Sequence, residues 1–203
     1  MKSITASGPL MRWRTIDLLT AAFLGVAFGV AYWGWGLAYS VPSNFVSAGY
    51  PPLAALFAWP WLVAGMVGML VIRRPGAAIF TELIAAIVSA LIGTGWGTTV
   101  LWSGLLEGLG VELGFALLAY RAFGWKPLAI GGFLGGVFEA VYEWFSWFPD
   151  WTMDHKLVYA LLYGLATAVF GSLLSVGLTT LLARAGALNP FPPGQEVRER
   201  HAV

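Results

Sequence analysis

Six long apolar runs, each bounded by proline, glycine or charge, divide the chain: Ile16 to Leu37, Leu53 to Ile72, Ala77 to Ile92, Thr99 to Tyr120, Leu128 to Phe148 and Leu157 to Leu182. A helix crosses the hydrocarbon core of a bilayer with about 20 apolar residues, so the pattern predicts an all-α bundle of six transmembrane helices. The third run is short, and Pro75, well suited to a first helical turn, allows it to begin as early as Arg74. One membrane domain over residues 16–183 is expected, with tails over 1–15 and 184–203.

The polar breaks between the runs orient the bundle. Lys2, Arg12 and Arg14 precede the first run, Arg73 and Arg74 separate the second from the third, and Arg121 and Lys126 separate the fourth from the fifth. Arg184, Arg198 and Arg200 follow the sixth, so ten of the eleven basic residues fall on one side and Lys156 alone on the other. Basic residues in short loops stay on the cytoplasmic side, which places both termini there. A cleaved signal peptide ending near Ala38-Tyr39-Ser40 is the competing reading of the N-terminus, but the first run is longer than a usual signal core. The outer connections are then Ala38 to Pro52, Gly93 to Thr98 and Pro149 to Lys156. The first is long and uncharged, carries Tyr39, Pro42, Asn44, Phe45, Tyr50, Pro51 and Pro52, and reads as a lid over an outward-opening pocket.

Composition agrees with the pattern: 59% of residues are hydrophobic, 10% are charged, and the mean hydropathy is +0.77. With no cysteine, disulfides, thiolate metal sites and cysteine nucleophiles are excluded. No phosphate-binding loop, H-E-x-x-H or G-x-S-x-G occurs, and the two histidines, His155 and His201, lie outside the apolar runs. No enzyme activity, cofactor, metal site or nucleic-acid partner is expected.

Five glutamates change the picture. Glu82, Glu107, Glu112, Glu139 and Glu143 lie inside the runs, where a carboxylate is costly unless it faces protein, water or a partner. Glu107 falls nine residues below Thr98 and Glu139 nine below Phe148, roughly 13 Å down at 1.5 Å per residue. Glu143 lies one turn above Glu139 on the same face, beside Tyr142, while Glu82 and Glu112 fall deeper. Glu107, Glu139 and Glu143, with Tyr159 and Tyr163 of the sixth helix, are the expected lining of one cavity, and Glu82 is a further candidate. Carboxylates and ring faces together suit a flat cationic ligand. Of Trp33, Trp35, Trp96, Trp102, Trp147 and Trp151 near the outer interface, most are expected to form an aromatic belt; Trp33, Trp96 and Trp102 are the candidate ligand contacts. Scarce basic residues on the outer side argue against a phosphorylated ligand.

Small residues at four-residue spacing let helices approach closely in lipid: Ala21, Gly25 and Gly29; Gly104 and Gly108; Gly110 and Gly114; and Gly131, Gly132, Gly135 and Gly136. Most are expected to pack internally. The set on the first helix, with Ala27 and Ala31 on another face, is also a candidate docking stripe for a partner protein.

The stretches Arg73-Arg74-Pro75-Gly76-Ala77-Ala78, Thr81-Glu82-Leu83-Ile84-Ala85-Ala86 and Gly104-Leu105-Leu106-Glu107-Gly108-Leu109-Gly110-Val111-Glu112 resemble the YkoE family. That family comprises substrate-binding S components of energy-coupling factor (ECF) transporters, linked to uptake of thiamin or its hydroxymethylpyrimidine precursor. The family often carries Gln where this chain has Glu107. The resemblance implies a six-helix S-component bundle in the bacterial plasma membrane with its ligand near the outer surface. It also implies a transmembrane coupling subunit meeting the first helix through Ala21, Gly25, Ala27, Gly29 and Ala31, with ATP hydrolysed by separate cytoplasmic subunits. A stand-alone proton-coupled carrier is the alternative, and a membrane assembly factor without a small ligand is a third reading.

Overall fold

The structure, a computed structural model, describes residues 4–6 and 8–201. Lys2, counted with the inner basic residues, and the extreme ends of both expected tails lie outside the described residues. The described residues hold eight α-helices and no strand: α1 Thr15–Ser47, α2 Val63–Ile72, α3 Ala77–Ile92, α4 Val100–Ala116, α5 Trp125–Ser146, α6 Met153–Ala166, α7 Ser172–Arg184 and α8 Pro192–His201. Short 3-10 stretches, Pro51–Phe57 and Trp59–Leu62, lead into α2, and a π-helical turn, Thr167–Gly171, joins α6 to α7.

Among the described residues, three helices are long and apolar enough to cross a membrane: Thr15–Ser47, Trp125–Ser146 and the continuous Met153–Arg184. A fourth such span is a bent pair, Pro51–Phe57 with Trp59–Ile72, angled by 40°. Helices α3 and α4, of 16 and 17 residues, are shorter. Phe23, Leu91, Phe145 and Leu181 each lie more than three-fifths exposed on the outer surface of the bundle, an apolar exterior suited to lipid.

The third helix starts at Ala77 rather than Arg74, because Arg73 and Gly76 both adopt left-handed conformations (φ 56° and 87°) that hold Arg74 and Pro75 in a turn. The expected lid is corrected. Helix α1 continues past Leu37 to Ser47 and takes Tyr39, Pro42, Asn44 and Phe45 into its last turns. Pro42 removes one backbone donor, a loss that membrane helices tolerate, and Ser43 Oγ donates to the Tyr39 carbonyl at 2.7 Å. The second run is interrupted, since Pro51, Pro52 and Pro60 fix φ and withdraw backbone donors, favouring tight 3-10 turns over an α-helix. The C-terminal tail folds largely into α8.

Glycine sets the helix spacing. Gly110 and Gly114 of α4 rest on the backbone of Gly135 and Gly131 of α5, with no room for a methyl group on either side. Gly104 and Gly108 meet α3 at Ala86 and Ile79, and Gly136 of α5 meets Gly164 of α6. Ala21, Gly25 and Gly29 are buried, the two glycines packing under Ile84 and Val88 of α3. That corrects three of the five docking residues: these three cannot meet a partner, whereas Ala27 and Ala31 lie exposed on the outward face of α1.

At the basic end, the turn between α2 and α3 is clasped by both ends of the chain. The buried Arg74 donates through Nε to Asp17 Oδ2 at 2.8 Å and through Nη1 to the Pro9 carbonyl at 2.9 Å, and Arg14 bonds the other side of Asp17. Arg73 forms a two-pronged pair with Glu196 of α8, at 2.6 and 3.1 Å, and lies over the Phe123 ring. Burial works against the Glu196 carboxylate, but the bond and charge of Arg73 outweigh it and hold its pKa below the ordinary glutamate value.

Because Glu196 titrates lower folded than unfolded, its contribution is full at neutral pH, above the ordinary glutamate value, and is lost as pH falls through the lowered one. Hydrogen exchange of α8, corrected for its intrinsic pH dependence, is therefore expected to be unchanged from pH 7 to 5 and to rise in stronger acid. Glu196→Gln should raise it at pH 7 and cost about 1–2 kcal/mol. In the α4–α5 seam, Gly114→Ala drives a methyl onto the Gly131 backbone and should destabilise by about 1–3 kcal/mol or more, read as a lower Tm in detergent.

Candidate functional site

A cavity of about 310 Å³ opens at the end of the bundle opposite the arginine clasp, lined by α1, the Pro51–Phe57 stretch, α3, α4, α5 and α6. It sits at the lower end of the range typical of small-molecule sites, roughly 300–1,000 Å³. Four glutamates from three helices converge on it: Glu82 of α3, Glu107 of α4, and Glu139 and Glu143 of α5. Its lining includes no Lys, Arg or His.

The floor follows from the break in the second span. Helix α2 starts inside the protein at Val63, leaving N–H groups of its first turn without helical partners. Gly65 N–H donates to Glu82 Oε2 at 2.7 Å, and Ala64 N–H donates to the Tyr32 hydroxyl oxygen at 2.8 Å. A carboxylate there complements the positive end of the helix dipole. The other oxygen, Glu82 Oε1, is buried without a hydrogen-bond partner, as is Glu139 Oε2. Glu107 accepts from the Tyr163 hydroxyl at 3.3 Å, and Glu143 from the Tyr159 hydroxyl at 2.6 Å.

Two runs of touching rings form the walls. On one side Tyr39, Trp61, Trp96 and Trp147 follow one another at centroid separations of 4.8, 6.2 and 5.2 Å, all edge-on. On the other, Phe148 stacks on Trp151 at 4.1 Å, and both meet Tyr159, which abuts Tyr163. The arrangement can hold a flat ring between aromatic faces while presenting acceptors to its N–H groups or positive charge.

Of the expected site residues, the structure gathers Glu82, Glu107, Glu139, Glu143, Tyr159, Tyr163 and Trp96 around this cavity. Tyr142, Trp33 and Trp102 are not among its lining. Each is one residue, about 100° of helical rotation, from a lining position: Glu143, Tyr32 and Ser103. Trp102 is 62% exposed on the outer surface. Glu112 also stands apart, capping α3 from α4 by accepting from Gly76 N–H at 2.7 Å, Ala78 N–H at 3.1 Å and the Tyr120 hydroxyl at 2.7 Å. Sequence reasoning missed Tyr32, Ser103 and Trp61 and left Trp147 and Trp151 in the belt. Ser103 stands one turn before Glu107, a spacing that could have found it; Tyr32 and Trp61 carried no such signal.

Comparison with known proteins agrees with this fold. Residues 16–138 match the family described as ABC-type cobalt transport system, permease component. The chain is 25% identical over 190 residues to YkoE of Bacillus subtilis (strain 168), a candidate HMP/thiamine permease, covering 93% of this chain and 94% of that one. Its fold matches a solved structure described as an S-component of an ECF transporter with a TM-score of 0.85 at 24% identity, over 94% of this chain and 96% of the other. The chain thus belongs to the permease-component family of ABC-type cobalt transport systems and is a multi-pass protein of the bacterial plasma membrane.

Proposed function

We propose that this chain is the substrate-binding S component of an ECF-type importer for thiamin or its hydroxymethylpyrimidine precursor, acting with a transmembrane coupling subunit and separate ATP-binding subunits. It spans the membrane six times, over 16–183, with the 1–15 and 184–203 ends in the cytoplasm. On this reading the three long helices and the bent second span make four crossings, and the shorter α3 and α4 make the other two. The similarity to a thiamine/HMP permease and to an S-component fold supports this reading.

The observation that carries it is the pair of unpartnered carboxylate oxygens, Glu82 Oε1 and Glu139 Oε2, in an aromatic cavity lined by no basic residue. A buried acceptor without a donor is costly, so the site calls for a ligand that brings N–H groups or positive charge. An aminopyrimidine supplies the donors and a thiazolium the permanent charge, while the rings stack on Trp and Tyr. A phosphorylated form would set like charge against the glutamates. Among the described residues, no group of three or more His, Cys, Asp or Glu is placed to hold a metal ion, which favours an organic cargo over cobalt itself. The coupling subunit docks on the exposed face of α1 that carries Ala27 and Ala31.

Tryptophan-fluorescence titration of the purified chain tests the proposal. Thiamin or hydroxymethylpyrimidine should quench saturably, with Trp61, Trp96, Trp147 and Trp151 in the walls, and thiamin diphosphate should not; silence with all three removes the vitamin reading. Glu139→Gln should weaken binding by about ten- to a hundredfold with little change in Tm, because it removes a charge from the lining. Glu112→Ala should do the reverse, lowering stability by about 2–4 kcal/mol through the lost cap while leaving affinity within about twofold.

A further inference from the structure

A second cleft, of about 400 Å³, lies at the opposite end of the molecule between the end of α7 and α8. Arg184, Arg198, Asn189 and Gly186 are among its lining, and among the described residues no acidic side chain is. We propose that this cleft binds the phosphate headgroup of an anionic phospholipid.

Three observations point to that ligand. First, the two arginines are exposed and outside the clasp. Arg198 Nη2 donates to the Asn189 carbonyl at 3.1 Å, which holds its guanidinium at the cleft, and Arg184 forms no hydrogen bond or ion pair among the described residues. Two neighbouring guanidiniums without a carboxylate repel each other and attract an anion, and their planar N–H sets match phosphate oxygens.

Second, the cleft is preformed. Gly194 packs against the Leu188 carbonyl with no space for a side chain, and Leu188 and Phe191 are buried beneath. Glu196 fixes the other face of α8 to Arg73, so Arg198, some 200° further round, is turned away from the clasp and into the cleft.

Third, the cleft adjoins the apolar exterior at headgroup depth. Helix Met153–Arg184 is 32 residues long, about 48 Å, which exceeds the roughly 30 Å hydrocarbon core and carries Arg184 into the headgroup layer. Leu173, Leu174 and Leu181 of α7 are exposed along the approach, offering an acyl chain a surface beneath a bound headgroup. A free phosphate would share the arginines but gain nothing from those leucines.

Native mass spectrometry of the full chain, released from nanodiscs of equal phosphatidylglycerol and phosphatidylcholine, tests this. At least one phosphatidylglycerol should be retained and phosphatidylcholine lost, and Arg184→Gln with Arg198→Gln should lower the phosphatidylglycerol-bound fraction by about tenfold or more, since each basic group near an anionic surface adds appreciably to binding. Arg184→Gln alone alters an exposed side chain and should give an intermediate loss, which separates the effect from misfolding of the double variant. Equal retention of both lipids, full retention by the double variant, or displacement of the lipid by millimolar inorganic phosphate would each overturn the proposal.

Discussion

A backbone donor inside a bilayer has no water to turn to, and in this molecule that constraint falls on the start of α2. The prolines of the second span break the helical ladder within the bundle, so Ala64 and Gly65 present N–H groups that must be met by other helices. Tyr32 from α1 and Glu82 from α3 meet them, and this joins three helices at one point. Glu82 is thereby anchored through one oxygen, while the other stays buried and unpartnered in the cavity lining. The break in the helix and the floor of the site are therefore one feature.

Close glycine seams do the complementary work. With Gly110 on Gly135 and Gly114 on Gly131, α4 and α5 cross at backbone contact, which brings Glu107 and Glu139 towards one another. Larger residues at the seam would widen the bundle and separate the carboxylates. Lipid provides no hydrophobic force between helices, so this fit, together with the polar contacts of the cavity and the arginine clasp, sets the geometry.

The apolar pattern was a good guide wherever one helix crosses the bundle unbroken. The bounds of α3 read directly from the sequence because glycines flank the run, whereas Ala38 to Pro52 looked like a loop because it gathers proline, asparagine and tyrosine. Those residues lose their turn-forming meaning where Ser43 bonds back to Tyr39 and the chain has packed surface to follow. The four cavity glutamates were legible because an intramembrane acid has few ordinary explanations. Glu112 looks identical in sequence and serves as a cap, a distinction that depends on the backbone of a different helix, α3. The tryptophans show the same limit: composition places them near the interface, but a rotation of one residue decides between Ser103, in the cavity lining, and Trp102, facing outward. Residues 184–203 read as a polar tail because the contact that folds α8, Glu196 with Arg73, spans 123 positions.

The two ends of the bundle treat charge in opposite ways. At the clasp each acid is matched: Asp17 faces two arginines, and Glu196 faces one, so these acids need no ligand. At the cavity, four acids share tyrosine hydroxyls and backbone donors with no cation among them, and two of their oxygens are unpartnered. Where one cluster of acids is satisfied internally and the other is short of donors, a cation or N–H donor from outside adds stability at the second. A ligand bound to the folded state alone stabilises it in proportion to the logarithm of its concentration over its Kd. The carboxylate cavity is thus the place where an arriving cation or N–H donor changes the energy of the whole bundle, and the α1–α3 seam at Gly25 and Gly29 sets the outward face of α1 one helix away from it.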